Sequence, residues 1–226
     1  MKIQFLGTGA ADWPIKRKDS NKEYRRLSSA LIDECLLIDF GPNVLDALDD
    51  CNAQQTNIKY VINTHRHADH YNEDVLKVLV SGGAEFVPFK KNEQREIGKY
   101  TVHSFAANHS TCDDAVHFII TDGEKTLFYG LDGAWLLMPE VDAIKKFKPD
   151  LAVLDATVGE ITGDYRIFEH NNLNMVCEIK NSLEQYVGRF CISHMARTLH
   201  TDHESLVKRM ERDGIIVAYD GLTINI

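Results

Sequence analysis

The sequence predicts a layered α/β or α+β protein built on mixed β-sheets, and three observations carry that expectation. Short apolar runs rich in β-branched and aromatic residues recur along the whole chain of 226 residues. Segments with helical spacing separate many of them, in loose alternation over the first half. Several neighbouring runs are joined by tight turns, such as TDGEKT at 121–126, which a purely parallel sheet does not allow.

The strand candidates, in order, are KIQFLG from 2, SALIDE from 29, LLIDF from 36, IKYVINT from 58, TVHSFAA from 101 and AVHFIIT from 115. TLFYGL from 126, LAVLDA from 151, RFCISH from 189, IIVAYD from 215 and LTINI from 222 complete the set. Each is short and enriched in residues that suit a pleated, buried surface. The helix candidates are NVLDALDD from 43, EDVLKVLVSG from 73, VDAIKKF from 141, NLNMVCEIKNSLEQY from 172 and HESLVKRMERD from 203, whose apolar positions return every three or four residues. Thr201 and Glu204 have capping-box spacing ahead of the last of these, and Gly214 suits its C-terminal end. The longest stretch without a pattern runs from 11 to 28, and loops that long inside a domain usually serve function.

Hydrophobic residues make up 44% and charged residues 26%, the values of a folded protein, and one domain over 1–226 is expected. The net charge of -9 repels polyanions, which argues against extended nucleic acid as a partner. No run approaches a membrane span and MKIQFLGTGAAD is too weakly apolar for a signal peptide, which places the chain in the cytoplasm. The five cysteines are scattered without a C-x-x-C and read as small buried hydrophobes.

The chemistry concentrates in NTHRHADHYNED, residues 63–74, where three histidines and an aspartate occupy six consecutive places. Residues two apart in an extended segment point the same way, so His65 and His67 can reach one point while Asp69 and His70, past a local turn, reach another. Imidazole nitrogen with carboxylate oxygen suits Zn²⁺ or Mn²⁺, with Fe²⁺ as a further option. One loop can thus serve two divalent ions, but a pair of ions needs more ligands. His109, Asp132 and His194 each stand just past an apolar run and supply the candidates.

These residues together resemble the metallo-β-lactamase superfamily: the H-x-H-x-D-H loop, NHS at 108–110, the strand-end Asp132 and SH at 193–194. The resemblance implies a four-layer αββα sandwich with two mixed sheets and a binuclear site on one edge. It implies that His65, His67 and His109 hold one ion, that Asp69, His70 and His194 hold the other, and that Asp132 bridges them. Asp39 matches the family's early acidic residue that supports ligands. NHSTCDDAVHFII, YGLDGAW, LDATVG, EHNNLN and VAYDGLTI are similar to the phosphoribosyl cyclic phosphodiesterase (PhnP-type) and ribonuclease Z branch, although no cysteine precedes Cys35 where the PhnP-type proteins carry a cysteine-rich loop.

The reaction implied is hydrolysis of a small anionic phosphodiester, cyclic by this branch's pattern, through a hydroxide bridging the ions, with Asp69 and His170 as the catalytic pair. Charge counting leaves about +1 at such a centre, matched to a diester's single negative charge. His170 corresponds to the histidine that protonates the leaving oxygen, with Asp164 or Glu169 tuning it. Lys16, Arg17, Lys18, Lys22, Arg25 and Arg26 form a basic island in an acidic chain, and Arg25 and Arg26 are the substrate-binding candidates, with His200 beside them. His103 and His117 lie within strand patterns and read as structural. The alternatives are a ribonuclease Z-like nuclease and a non-catalytic metal-binding protein of the same fold, and a homodimer stays open.

Overall fold

Alternation along continuously apolar strands decides the layers. In a computed structural model, which describes residues 1–16 and 23–226, thirteen strands form two sheets. The first joins β1 (Lys2–Gly7), β2 (Ser29–Ile32), β3 (Leu36–Ile38), β4 (Tyr60–Ile62), β5 (Glu85–Phe86) and β13 (Thr223–Asn225) in the order β13-β1-β2-β3-β4-β5. The second joins β6 (Gln94–Ile97), β7 (Tyr100–Ala106), β8 (Val116–Thr121), β9 (Thr126–Gly130), β10 (Leu151–Asp155), β11 (Phe190–Ser193) and β12 (Ile215–Val217), in the order β12-β11-β10-β9-β8-β7-β6. Both sheets are mixed, as expected, and the TDGEKT turn links the antiparallel pair β8–β9.

Leu36 and Ile38 of β3 face Phe118 and Ile120 of β8 in a core shared by the two sheets. Leu37 turns the other way, onto α1 (Val44–Asp50) and α2 (Glu73–Ser81). Ile119 packs beneath α3 (Met138–Phe147), α4 (Leu173–Leu183) and α5 (His203–Glu211), which cover the second sheet. Both faces of the central strands are therefore dry, which is why these strands read as unbroken apolar runs. The result is the four-layer αββα sandwich that the resemblance implied.

Local chemistry sets the helix starts. Asn72 accepts the N–H groups of Asp74 and Val75, and Asn172 accepts that of Met175, each oxygen satisfying donors that the first turn leaves open. For α5 the cap is Asp202, whose carboxylate takes Ser205 N–H at 2.9 Å and Ser205 Oγ at 2.7 Å, and not the Thr201–Glu204 box. A carboxylate one residue closer to the helix suits its positive end and wins over a hydroxyl. Gly214 closes α5's C-terminal turn at φ 67, as its sequence position suggested.

Strand direction places the site. β9, β10, β11 and β12 are mutually parallel, and β7 runs with them because β8 is antiparallel to both β7 and β9. β3 and β4 are parallel in the other sheet. The C-terminal ends of β7, β9, β10 and β11 therefore share one edge of the second sheet, and those of β3 and β4 share one edge of the first. Among the described residues, no helix is long and apolar enough to cross a membrane.

Candidate metal centre

The 63–72 loop leaves β4 and is stitched to the end of β3. Phe40 N–H reaches His70 O at 2.9 Å and Asn72 N–H reaches Phe40 O at 3.0 Å. Gly41 permits this approach, since a Cβ there would lie 2.0 Å from Asp69 O. Asp39, fully buried, then anchors two histidines. Its Oδ2 accepts His70 Nδ1 at 2.7 Å, while Thr64 Oγ1 donates to the same carboxylate and accepts His65 Nδ1 at 3.0 Å. With each Nδ1–H committed, both rings present the Nε2 lone pair to the centre.

The second sheet repeats the device at the end of β10. Asp155, also fully buried, accepts Thr157 Oγ1 at 2.9 Å, and that hydroxyl takes His194 Nδ1 at 2.7 Å. His170 Nδ1 lies 3.1 Å from the same carboxylate. The register Asp155↔Ser193 between β10 and β11 is what sets Asp155 beside His194. Asp39, Asp132 and His194 all have left-handed backbones, with φ of 61, 56 and 61, a conformation that turns the chain inward at a strand end and that persists where the surroundings enforce it.

The side chains converge as three overlapping groups, two of which hold the seven proposed ligands while the third joins Asp155 and His170 to Asp132 and His194. His65, His67 and His109 offer ring nitrogens within 4.8 Å of one another, and so do the ligand atoms of Asp69, His70, Asp132 and His194. Asp132 spans the groups: its Oδ2 is 3.2 Å from His65 Nε2 and 2.7 Å from His70 Nε2, and its Oδ1 is 3.1 Å from His194 Nε2. His70 Nε2 and His194 Nε2 stand 3.2 Å apart. Two lone pairs at that distance repel unless a proton or cation lies between them. His65 Nε2, His109 Nδ1 and Asp132 Oδ1 are buried, and among the described residues none of them makes a hydrogen bond, the close approaches of His65 and Asp132 lacking hydrogen-bond geometry. Orphaned donor atoms, imidazole and carboxylate chemistry and fixed tautomers all fit a divalent-metal donor set.

The field at the centre favours positive charge. Burial opposes ionisation of Asp69, yet His70 and His194 hold its pKa below the carboxylate range. Burial likewise disfavours His194 as a cation, but Asp132 and Asp155 outweigh it and raise its pKa to about 10. At His65 burial prevails, assisted by the charge of His70, and pushes the pKa down to about 2, leaving a neutral imidazole. His170 is raised: burial works against the cation, and Asp155 and Asp132 overcome it.

A cavity of about 210 Å³ opens over these groups, lined by His67, Asp69, His109, Asp132, His170 and His194, and also by Arg166 and Glu169. All seven proposed ligands and His170 are thus brought together. Arg25, Arg26 and His200 are not among its walls. Arg25 Nη1 is committed to Thr8 Oγ1 at 2.7 Å and Ala218 O at 2.8 Å, and Arg26 pairs with Asp50 and Asp220. His200 Nε2 bonds Ala156 O at 2.6 Å. Arg17, Lys18 and Lys22 of the basic island lie outside the described residues. The neighbour of His170 is Asp155 and neither Asp164 nor Glu169: Asp164 grips Arg166, and Glu169 accepts Ser110 Oγ and Thr111 Oγ1. Asp155, Thr157 and Arg166 were missed in the sequence. The signal for Asp155 was present, since LAVLDA carries an aspartate as its penultimate residue, just as LLIDF does.

A family model described as the anti-Pycsar protein Apyc1 matches residues 1–73. No curated protein matches the chain. Among solved structures, the metallo-β-lactamase fold protein YhfI from Bacillus subtilis superposes with a TM-score of 0.75 at 16% identity, over 99% of this chain and 98% of that one. A diphosphatase of the PhnP family gives 0.75 at 18% identity, over 100% and 97%. The short form of human tRNase Z gives 0.72 at 15% identity, over 100% and 99%. The chain has the metallo-β-lactamase fold.

Proposed function

We propose that this chain is a binuclear metal-dependent phosphodiesterase acting on a small, cyclic phosphodiester. The observation that carries the reading is the convergence of seven nitrogen and oxygen donors, five of them lining one cavity whose wall also includes a histidine held by a buried carboxylate. Two divalent ions would supply Lewis acidity toward the phosphoryl oxygens and a water whose pKa is lowered to near ~7. The match to the anti-Pycsar model, a cyclic-nucleotide-degrading family, supports a cyclic diester. The net charge of -9, with Arg166 as the one lysine or arginine among the described residues lining the cavity, favours a small molecule over structured RNA.

The protein's own groups divide the remaining work. His70, His194 and His65 are locked as Nε2 donors by Asp39 and by Asp155 through Thr157. His170, protonated and directed by Asp155, gives its proton to the departing alkoxide. Among the described residues, Arg166 is the one lysine or arginine lining the cavity, and Asp164 grips it through Nε–Oδ1 at 2.9 Å and Nη2–Oδ2 at 2.6 Å. This fixes a guanidinium at the wall, and Arg166 takes the anion-binding role that the sequence suggested for Arg25 and Arg26.

Chelator-treated protein reloaded with Zn²⁺ or Mn²⁺ should turn over cyclic phosphodiesters and leave a structured RNA intact. His170→Ala should lower kcat by about 10²- to 10⁴-fold while binding the same amount of metal. Full turnover by that variant would remove the acid assignment. Cleavage of the RNA with no turnover of any cyclic diester would transfer the reading to a nuclease.

A further inference from the structure

We propose that His117 and Glu140 are positioning residues for Asp132, a buried imidazole–carboxylate pair that sets the height of the 131–137 loop under the metal centre. The inference rests on the reading that Asp132 bridges two ions. His117, in β8, and Glu140, in α3, are both buried, and His117 Nδ1 stands 2.5 Å from Glu140 Oε1. The other carboxylate oxygen of Glu140 accepts Leu137 N–H at 2.7 Å, at the entry to α3. The chain therefore leaves β9 at Gly130, passes Asp132, turns into α3, and is tied back through Glu140 to the strand beside the one it left.

The ring closes this circuit from below. A Cβ added at Gly133 would lie 2.5 Å from His117 Cε1 and 2.7 Å from Nε2, and one at Gly130 would lie 3.4 Å from Nδ1. The imidazole thus touches the backbone on both sides of Asp132. Its Nε2 is buried with no hydrogen-bond partner among the described residues. The same layer is otherwise filled by residues such as Ile119 and Phe128, and a core selected for stability alone would place an apolar side chain here, because a buried polar pair is seldom superior to well-packed hydrocarbon. What the pair adds is direction. Apolar contacts tolerate sliding, whereas a short N–H···O bond and a helix-cap bond on one carboxylate hold the loop at one height. Asp132 has its left-handed backbone in that loop, and its two oxygens must meet three imidazoles at once.

The test is a steric double-mutant cycle between Gly133 and His117. Gly133 does not have a positive φ, so Gly133→Ala adds a methyl group against the ring without forcing the backbone. His117→Asn keeps an N–H near the position of Nδ1 for Glu140 and removes the part of the ring beneath Gly133. Each single variant, treated with chelator and titrated calorimetrically with Zn²⁺, should bind the ion at the Asp132-bridged centre about 10-fold or more weakly, the scale on which groups supporting a ligand act. The double variant, with the new methyl in the space left by the ring, should recover to within about threefold of the wild type. Circular dichroism and melting of each protein without added metal separate this from unfolding; if Gly133→Ala does not fold, His117→Asn alone must still show the loss. Wild-type affinity in both single variants, or no recovery in the double variant, would overturn the proposal. Failure of the wild-type protein to bind two ions would instead remove the reading of the centre itself.

Discussion

Asp39 and Asp155 occupy equivalent places in the two sheets. Each stands at the C-terminal end of a strand, each is fully buried, and each works through a threonine hydroxyl that passes the carboxylate's hold to a histidine. Their clients differ. Asp39 serves His70 and His65, one from each group of candidate ligands. Asp155 serves His194, a candidate ligand, and His170, the candidate proton donor. The same construction therefore holds candidate ligands of both groups on one side, and on the other joins a candidate ligand to the candidate proton donor.

The comparison can be broken most directly at Asp39. Asp39→Asn removes the fixed charge behind two rings and should weaken both ions by about 10- to 100-fold, measured as Zn²⁺ affinity of chelator-treated protein. An effect on only one ion would show that the Thr64 branch is idle. Asp155→Asn should weaken only the ion held by His194, by about tenfold. It should also move the alkaline limb of the kcat–pH profile to lower pH, because Asp155 is the leading charge that raises His170. An unmoved limb would separate Asp155 from the proton donor.

Smaller effects sharpen the contrast. Thr64→Val and Thr157→Val each delete one relay hydroxyl, worth about 0.5–1.5 kcal/mol, and the Thr157 variant should additionally lower kcat because its hydroxyl also lies 3.2 Å from His170 Nδ1. Equal kcat in the two variants would remove that distinction. Finally, His194 has a folded-state pKa of about 10, above its unfolded value of about 6.5, so its contribution in chelator-treated protein is complete below pH 6.5 and is lost as pH rises through 10. Thermal melts across that range should show the decline, and Asp155→Asn should flatten it.

Much of the centre was legible in the chain because its chemistry is dense and local. Three histidines and an aspartate within 65–70 crowd ligand atoms into a single loop, as metal binding requires and as packing alone does not, and His109, Asp132 and His194 follow apolar runs as ligands on strand ends do. Asp155 was harder to see, since an aspartate after LAVL is equally a turn residue until β10 is known to lie beside β11. Arg166 was hidden by its charge, which in sequence is indistinguishable from the arginines at 25 and 26 that fold away from the cavity. β5 has two residues and β6 is mostly exposed, so neither carries an apolar pattern. His117 and Glu140, 23 residues apart, had no local signal at all.

Apolar periodicity and local ligand spacing by themselves determined the layered class, the mixed sheets, and a candidate metal-binding loop at the end of the fourth strand. Tertiary structure alone decided which strand ends share an edge, which of two threonine-linked carboxylates reaches the proton donor, and which arginine lines the cavity. The physical reason is range: side-chain alternation and ligand spacing act over a few residues, whereas the convergence of seven donors depends on the parallel order of strands that are far apart in the chain.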